Sequence, residues 1–352
     1  MKVIQYSTPI ILLALFMLMS SCCWREGSAP NFESRKNPLV PLGHLLFFDK
    51  RLSRNGTKSC ASCHDPRLAF TDGYRRSIGA TGDLHRRNSP SLLNISHQSS
   101  FTAGDPFLVS LSDQIAIPLF NTEFVEMGNS ADDTSVLLAL EHIAQYAELL
   151  TRLPSSPSHL TWQTVQEALA SYLQTLDATD SRYDRFLRDP KRFPLTSAER
   201  RGRDLFYSKK LGCGNCHGGK YFNNGASGVR FFKNGFFDLS HRSSLDTLSP
   251  DYGVYHHTQN SADMGKFRVP SLRNVTKTAP YMHDGSVATL SEVIDIYSAG
   301  GIANAPKDEG IHQFELTPTE KRQLLLFFET LTDLSYQTAF FSQNPLFPSH
   351  HE

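Results

Sequence analysis

The chain carries the pentapeptide Cys-x-x-Cys-His twice, and this feature limits its possible folds more than any other. The two copies are Cys60-Ala61-Ser62-Cys63-His64 and Cys213-Gly214-Asn215-Cys216-His217. A Cys-x-x-Cys pair alone could form a disulfide, bind zinc or carry out thiol redox chemistry. The His after the second Cys distinguishes these, because two thiols can attach a haem through thioether bonds while the adjacent imidazole ligates its iron. The sequence therefore predicts two covalent c-type haems, with His64 and His217 as proximal ligands.

The N-terminus has the pattern of an export signal. Met1-Lys2 precedes an apolar run at residues 10–19, which Ser20-Ser21-Cys22 follows. The run is too short to cross a bilayer as a helix, which needs about 20 residues, whereas a basic start, a short apolar region and small residues are typical of exported proteins. Leu18-Met19-Ser20-Ser21-Cys22 also fits a loose bacterial lipobox; in an ordinary signal peptide Cys22 would be an incidental thiol. We expect a periplasmic protein, with membrane attachment only through a lipid anchor at Cys22.

The charge and the length of the chain limit its possible functions and its domain organisation. Lys plus Arg and Asp plus Glu each number 35, so the formal net charge is zero. This balance argues against nucleic-acid binding, which needs a basic surface. The 352 residues suffice for two domains with separate cores. The predicted organisation is an export signal at residues 1–22, an N-terminal haem domain at residues 35–194 and a C-terminal haem domain at residues 195–340.

The predicted fold is mainly α, with two cytochrome c-like haem domains and long loops. Similar short helices at residues 42–48 and 201–206 precede the two haem motifs and indicate a weak internal repeat. Helical apolar spacing recurs at residues 132–153 and 162–176, and Thr317-Pro318-Thr319-Glu320 is typical of a helix start. Strand patterns are nearly absent.

Three blocks of sequence extend beyond the haem motifs or lie between and after them. The first runs from Leu46-Phe47-Phe48-Asp49 through the first motif to Phe70-Thr71-Asp72-Gly73, and the second is Arg87-Asn88-Ser89-Pro90-Ser91-Leu92-Leu93-Asn94. The third runs from Phe267-Arg268-Val269-Pro270-Ser271-Leu272-Arg273-Asn274 through Ala279-Pro280-Tyr281-Met282-His283-Asp284-Gly285-Ser286 to Gly300-Gly301. Together these blocks resemble the bacterial di-haem cytochrome c peroxidase family, and within it the MauG-like branch.

The resemblance implies a peroxidatic site at the N-terminal haem, whose proximal ligand would be His64. Gln114 and Pro118 match a distal Gln and a Pro four residues later in the family. Glu126 matches the glutamate that moves a proton between the two peroxide oxygens, so that water can leave. Glu123 is an alternative for this acid, because the block that contains Glu126 stands further along the chain than is usual.

The resemblance also addresses the sixth coordination position of this haem. Many family members have a removable distal His upstream of the Arg-Asn block, and the corresponding position here is Ala80. A methyl group cannot ligate iron, which implies an open site that reacts without prior reduction. His85, on the same loop, is the alternative ligand.

For the C-terminal haem, the resemblance implies Tyr297 as the second axial ligand. Many family members use a Met there and the MauG-like branch uses a Tyr, and no Met of this chain has the required spacing after His283. A phenolate stabilises high iron oxidation states, whereas a thioether favours the reduced iron. Alternatively, Tyr297 is a core residue, because it shares an apolar helical stripe with Leu290, Val293 and Ile294.

A calcium ion between the haem domains is a further implication of the resemblance. Its ligands would be the Asn88 side chain and the backbone carbonyls of Arg268 and Pro270, an oxygen set that suits calcium. Read without the resemblance, Asn88 is a turn residue.

Two positions depart from the family pattern. The family usually has a Trp on the path between the haems, but residues 101–106 contain none, and neither Trp24 nor Trp162 is placed for that role. Lys233 stands where related sequences often have His. The route of hole transfer between the haems is therefore expected to differ.

These observations predict an exported di-haem peroxidase that reduces hydrogen peroxide at the N-terminal haem. Electrons would come from a small redox protein, a cytochrome c or a cupredoxin, or from side chains of a partner protein that becomes oxidised. The alternative is a di-haem electron carrier with two six-coordinate haems and no peroxidase activity, and a distal ligand such as His85 would favour it.

Overall fold

Short helices joined by long loops make up most of the computed structural model, which describes residues 37–154, 159–223, 231–236, 251–302 and 305–337. The helices are α1 (Leu39–Phe48), α2 (Leu111–Phe120), α3 (Ser135–Glu141), α4 (Ala144–Thr151), α5 (Trp162–Leu173), α6 (Arg182–Arg188), α7 (Ser197–Phe206), α8 (Cys213–Cys216), α9 (Tyr255–Thr258), α10 (Leu290–Ser298) and α11 (Pro318–Thr330). Strands β1 (Phe231–Lys233) and β2 (Lys266–Arg268) pair antiparallel. The helix-rich fold with little strand is confirmed, and the predicted export signal with Cys22 lies outside the described residues.

The described residues contain two hydrophobic cores. The first contains buried residues up to Ala178, and the second begins at Tyr183. Helix α6 packs with the second core, because the Tyr183 ring lies 5.3 Å from the Phe327 ring. The domain boundary after residue 194 stays a prediction. Near the other end of the chain, Tyr336 returns to the first core, where its ring lies 5.9 Å from that of Phe70.

In each core, two helices cross at a glycine. Helix α1 crosses α5, and α7 crosses α11. A Cβ added to Gly43 or Gly202 would lie 1.9 or 2.0 Å from a backbone carbonyl oxygen of the partner helix. Four residues after each glycine a Phe is buried, Phe47 at 1% and Phe206 at 0% exposure. Helices α1 and α7 thus pack through the same pattern of a Gly and a buried Phe, which supports the predicted internal repeat.

Replacing Gly43 with Ala should destabilise the first core. The added methyl group has no room, so α1 and α5 must move apart, and such overpacking costs about 1–3 kcal/mol. Urea unfolding followed by circular dichroism would measure the loss. Gly310→Ala is the matched control, because nothing lies within 4 Å of a Cβ added there. Equal stability of the two variants would contradict the close crossing.

A second repeat lies after each haem motif and was missed at the sequence level. Pro90-Ser91-Leu92-Leu93-Asn94 corresponds to Pro270-Ser271-Leu272-Arg273-Asn274. The serine hydroxyls donate to the carbonyl oxygens of Ala69 and Tyr221, both at 2.6 Å. Both asparagines are buried with a left-handed φ, of 59° and 57°. The two halves of the described chain are therefore built on one plan.

The segment predicted as one helical stretch at residues 132–153 is interrupted in the structure. Residues 132–153 form two helices, α3 and α4, because Ile143 is extended, with φ −93° and ψ 123°. The break lets both Leu140 and Tyr146 be fully buried, and the Tyr146 hydroxyl donates to Asp49 Oδ2 at 2.9 Å. Among the helices described here, none combines the length and the hydropathy that crossing a membrane requires.

Candidate active site

Both halves of the described chain open onto a shared cavity of about 460 Å³. Cys60, Cys63 and His64 line it from the first half, and His217 and Tyr297 line it from the second. Both predicted iron-binding histidines therefore face one continuous space, whereas Cys213 and Cys216 are not among its lining residues.

The ring of His64 is held by its Nδ1 atom. Nδ1 lies 3.0 Å from the Phe70 carbonyl oxygen and 3.2 Å from Ser89 Oγ. The Ser89 hydroxyl donates to the Cys63 carbonyl oxygen at 2.6 Å, so the ring N–H is left to donate to Phe70. This places the proton on Nδ1 and leaves the Nε2 lone pair for a metal ion. Burial lowers the pKa of His64, which favours the neutral imidazole that metal ligation requires.

His217 is held in the same way in the second half. Its Nδ1 lies 3.0 Å from the carbonyl oxygen of Phe222, and burial lowers its pKa. Phe70 and Phe222 both have positive φ, of 59° and 53°, a strained conformation for a non-glycine residue. We infer that this backbone turn directs each carbonyl back to its imidazole. These two supporting residues were missed at the sequence level, where only a shared Phe downstream of each motif could have indicated them.

The four motif cysteines fit covalent haem attachment better than the alternatives. None of the four is in a disulfide bond. A zinc site would need further ligands, and no cluster of three or more His, Cys, Asp or Glu side chains suited to a metal ion occurs in the described part of the chain. Paired thiols beside a tautomer-fixed imidazole are what a c-type haem needs at each motif.

Helix α2 brings Gln114 and Pro118 to the cavity. The two residues are one turn apart, so they lie on the same face of the helix. Gln114 Oε1 is buried and has no hydrogen-bond partner within the protein, which leaves it available to a polar ligand in the cavity. Glu126 also lines the cavity, and its segment is tied to α2 where Met127 N donates to the Pro118 carbonyl oxygen at 3.0 Å.

Glu123, the alternative acid, lies elsewhere. Its side chain is 73% exposed and accepts a hydrogen bond from Arg86 at 3.2 Å. It does not line the cavity, whereas Glu126 does. The geometry therefore favours Glu126 over Glu123.

Tyr297 reaches the cavity from α10, on the second half. Its hydroxyl accepts a hydrogen bond from Asn234 Nδ2 at 3.4 Å, and burial raises its pKa. Of its helical stripe, Leu290 and Val293 also line the cavity, while Ile294 is in the second core. Tyr297 and His217 thus share one space, as an axial pair requires.

Comparisons with known proteins identify the family. Residues 37–192 match the family model described as di-haem cytochrome c peroxidase. Cytochrome-c peroxidase IdrP1 of Pseudomonas sp. (strain SCT) is 33% identical over 317 residues, which cover 83% of this chain and 80% of the relative. The chain belongs to the di-haem cytochrome c peroxidase family. Methylamine utilization protein MauG of Methylorubrum extorquens is 32% identical over 311 residues, covering 87% of this chain and 82% of that protein.

Solved structures agree with this membership. A MauG-like protein associated with microbial copper homeostasis is 37% identical, with a TM-score of 0.78 over 90% of this chain and 98% of the other. The di-haem peroxidase BthA from Burkholderia thailandensis has the same fold, with a TM-score of 0.65 over 85% of this chain and 86% of that chain at 24% identity. This di-haem peroxidase is therefore an oxidoreductase with haem c cofactors, as the sequence predicted.

Ala80 and His85 lie on one loop but differ in their relation to the cavity. Ala80 is not among the residues that line the cavity; its backbone N–H instead donates to the Glu126 carbonyl oxygen at 2.8 Å. From the same loop, the side chains of Ile78 and His85 line the cavity. The correspondence of Ala80 to the family's distal position stays a prediction.

The three predicted calcium ligands lie in one neighbourhood. Asn88, Arg268 and Pro270 all line the cavity. Asn88 uses its amide nitrogen to donate to the Tyr74 carbonyl oxygen at 2.8 Å, which leaves its side-chain oxygen for another partner. The calcium site stays a prediction.

Aromatic side chains other than Trp line the cavity. Phe101 lines the cavity, and so do Phe267 and His283, whose rings stack at 4.1 Å and 20°. Trp162 is instead buried in the first core, where its Nε1 donates to the Asp133 carbonyl oxygen at 3.1 Å.

Proposed function

We propose that this protein is an exported peroxidase that reduces hydrogen peroxide at the haem ligated by His64. The observation that carries the proposal is the shared cavity, which brings Gln114 and Glu126 to the same space as His64. Each half would be a cytochrome c-like unit around one haem. The names of the relatives, cytochrome-c peroxidases and MauG, favour this activity over simple electron transfer.

The overall reaction takes up two electrons and two protons per hydrogen peroxide and releases two water molecules. When bound, the haem iron supplies the electrons that break the O–O bond. Glu126 accepts a proton from the inner peroxide oxygen and delivers it to the outer one, which then leaves as water. Gln114 orients the substrate through its unpaired amide oxygen, and Pro118 shapes the wall beside it.

His217 and Tyr297 would hold the other haem. A phenolate ligand there would stabilise a high iron oxidation state, so this haem would store the second oxidising equivalent. Electrons would arrive from a cytochrome c or a cupredoxin, or from side chains of a partner protein. A calcium ion at Asn88, Arg268 and Pro270 would brace the region between the haems. Periplasmic location and a lipid anchor at Cys22 complete the proposal.

Replacing Tyr297 with Phe tests its assignment as a ligand. We expect the variant to lose the low-spin ferric signal of the C-terminal haem, while the N-terminal haem keeps its spectrum. Electron paramagnetic resonance and resonance Raman spectroscopy would measure both. Tyr207→Phe is a control on an exposed Tyr of the same half, 48% accessible. Identical spectra for Tyr297→Phe and the parent would make Tyr297 a core residue only.

Stopped-flow mixing of the fully ferric protein with stoichiometric hydrogen peroxide tests the function. We expect an immediate spectral change without added reductant. Reduced cytochromes and cupredoxins, supplied one at a time with excess peroxide, would then identify the electron donor. If the ferric protein does not change in peroxide, and none of the donors supports peroxide turnover, the protein is instead an electron carrier.

A further inference from the structure

His85 and Glu126 meet at the cavity although they are distant in the chain. His85 Nε2 lies 3.2 Å from Glu126 Oε1. On the other side of the ring, the backbone N–H of Arg87 donates to His85 Nδ1 at 3.1 Å, and the Arg87 carbonyl oxygen is further away, at 3.4 Å. A backbone N–H can only donate, so Nδ1 accepts and the proton of the neutral ring is on Nε2. That proton points to the carboxylate of Glu126.

The backbone around the pair holds it in place. Residues 77–85 form a tight hairpin, in which Ile78 and Leu84 are bridged. The hairpin lies directly on the Glu126 segment, because a Cβ added to Gly79 would be 1.7 Å from the Val125 carbonyl oxygen. This contact joins two segments that each line the cavity, so the distance between the two side chains is fixed by main chain.

The turn after His85 is also anchored to the second half. The Arg87 guanidinium donates to both carboxylate oxygens of Asp251, at 2.6 and 3.0 Å. The Asp251 side chain is 3% exposed, so this bidentate pair is shielded from water. The peptide N–H that fixes the His85 tautomer therefore belongs to a residue that cannot easily move.

We infer that His85 is a positioning residue for Glu126: its Nε2–H holds the carboxylate in the orientation from which it moves the proton of hydrogen peroxide. This inference rests on the proposed function. A ring whose Nε2 carries a proton and faces Glu126, and whose Nδ1 accepts from Arg87, has no lone pair left for iron. The same geometry keeps the haem open to substrate.

Replacing His85 with Ala tests the inference. Without the donor the carboxylate is free to rotate, and misplacing a reacting group costs about 10- to 100-fold in rate. His85→Gln keeps an N–H donor and should restore most of the rate. His159→Gln is the matched control, because His159 makes the same kind of contact, 3.2 Å to Glu141, at a 72% exposed position away from the cavity. The rates are measured by stopped-flow mixing of ferric protein with peroxide.

Two further readouts separate positioning from other roles. The C–O stretching frequency of the ferrous carbon monoxide complex reports on polar groups at the open face, so it should shift in His85→Ala and not in His159→Gln. The high-spin ferric signal of the N-terminal haem should persist in His85→Ala. If instead the parent has a low-spin signal that becomes high-spin in the variant, His85 is an iron ligand and the inference is overturned.

A double variant with His85→Ala and Glu126→Gln tests whether His85 acts through Glu126. If His85 acts through Glu126, the double variant should be no slower than Glu126→Gln alone. Additive losses would overturn the inference, and so would a His85→Ala rate equal to that of the parent. A parent protein that fails to react with peroxide would refute the proposed function, while the carbon monoxide readout would still test the contact.

Discussion

Replacing Glu126 with Gln is expected to slow the reaction of the ferric protein with hydrogen peroxide by about 10²- to 10⁴-fold. The amide is similar in shape to the carboxylate but cannot take up a proton and pass it on. Both haems should keep their resting spectra, because Glu126 is not an iron ligand in this proposal. Stopped-flow absorption measures the rate, and electron paramagnetic resonance checks that the haems are unaltered.

Glu123→Gln is the matched control for this experiment. The same loop carries both glutamates, but Glu123 is 73% exposed and paired with Arg86. Its replacement should leave the rate within a few-fold of the parent. A slow Glu123→Gln together with a fast Glu126→Gln would reverse the assignment of the acid.

Replacing Asp184 with Asn should produce the largest loss of stability. Asp184 accepts two hydrogen bonds from the Arg273 guanidinium, both at 2.7 Å, and the Arg273 side chain is 2% exposed. Arg273 also donates to the Lys220 carbonyl oxygen, just after the second haem motif. Leaving a buried charge without its partner costs about 3–5 kcal/mol. Denaturant unfolding monitored by circular dichroism would measure the change.

An exposed ion pair on the first half provides the comparison. Arg152 and Glu148 are paired across one helical turn, with side chains 60% and 63% exposed. Glu148→Gln should cost less than about 0.5 kcal/mol, since water already screens the pair. Losses of similar size for the two variants would show that the Arg273 pair is not shielded as the structure indicates.

The buried Asp184–Arg273 pair also predicts that the stability of the protein depends on pH. Burial by itself would raise the pKa of Asp184, but hydrogen bonds from Arg273 and Ser181 outweigh it and hold the pKa below its ordinary value. A carboxyl group whose pKa is lower in the folded state stabilises the protein above its unfolded pKa, and this contribution is lost as the pH falls through the folded value. The stability difference between the parent and Asp184→Asn should therefore narrow on acidification.

Local chemistry explains why much of the site could be read from the chain. Haem attachment depends on residue type and on spacing within five positions. The roles of Cys60, Cys63 and His64 can therefore be predicted without tertiary information. Gln114 and Pro118 are four residues apart, and any helix brings such residues to one face. The three blocks of family sequence were specific enough to give the family, the enzyme class and the helix-rich fold.

Contacts between distant segments could not be read in this way. Spacing along the chain suggested Ala80 at the distal position, but the hairpin at residues 77–85 brings His85 to the cavity. The sequence also did not show that α6 packs with the second core, where Tyr183 contacts Phe327 and Asp184 pairs with Arg273.

The two haem sites are predicted without tertiary information, because haem attachment depends on the residues of one pentapeptide. The contact between His85 and Glu126, the carbonyls that hold His64 and His217, and the cavity that both halves line are visible only in the folded chain. These contacts depend on backbone turns at left-handed residues and on close crossings of helices and hairpins. Such features are selected by the packing of the whole chain rather than by any local pattern of residues.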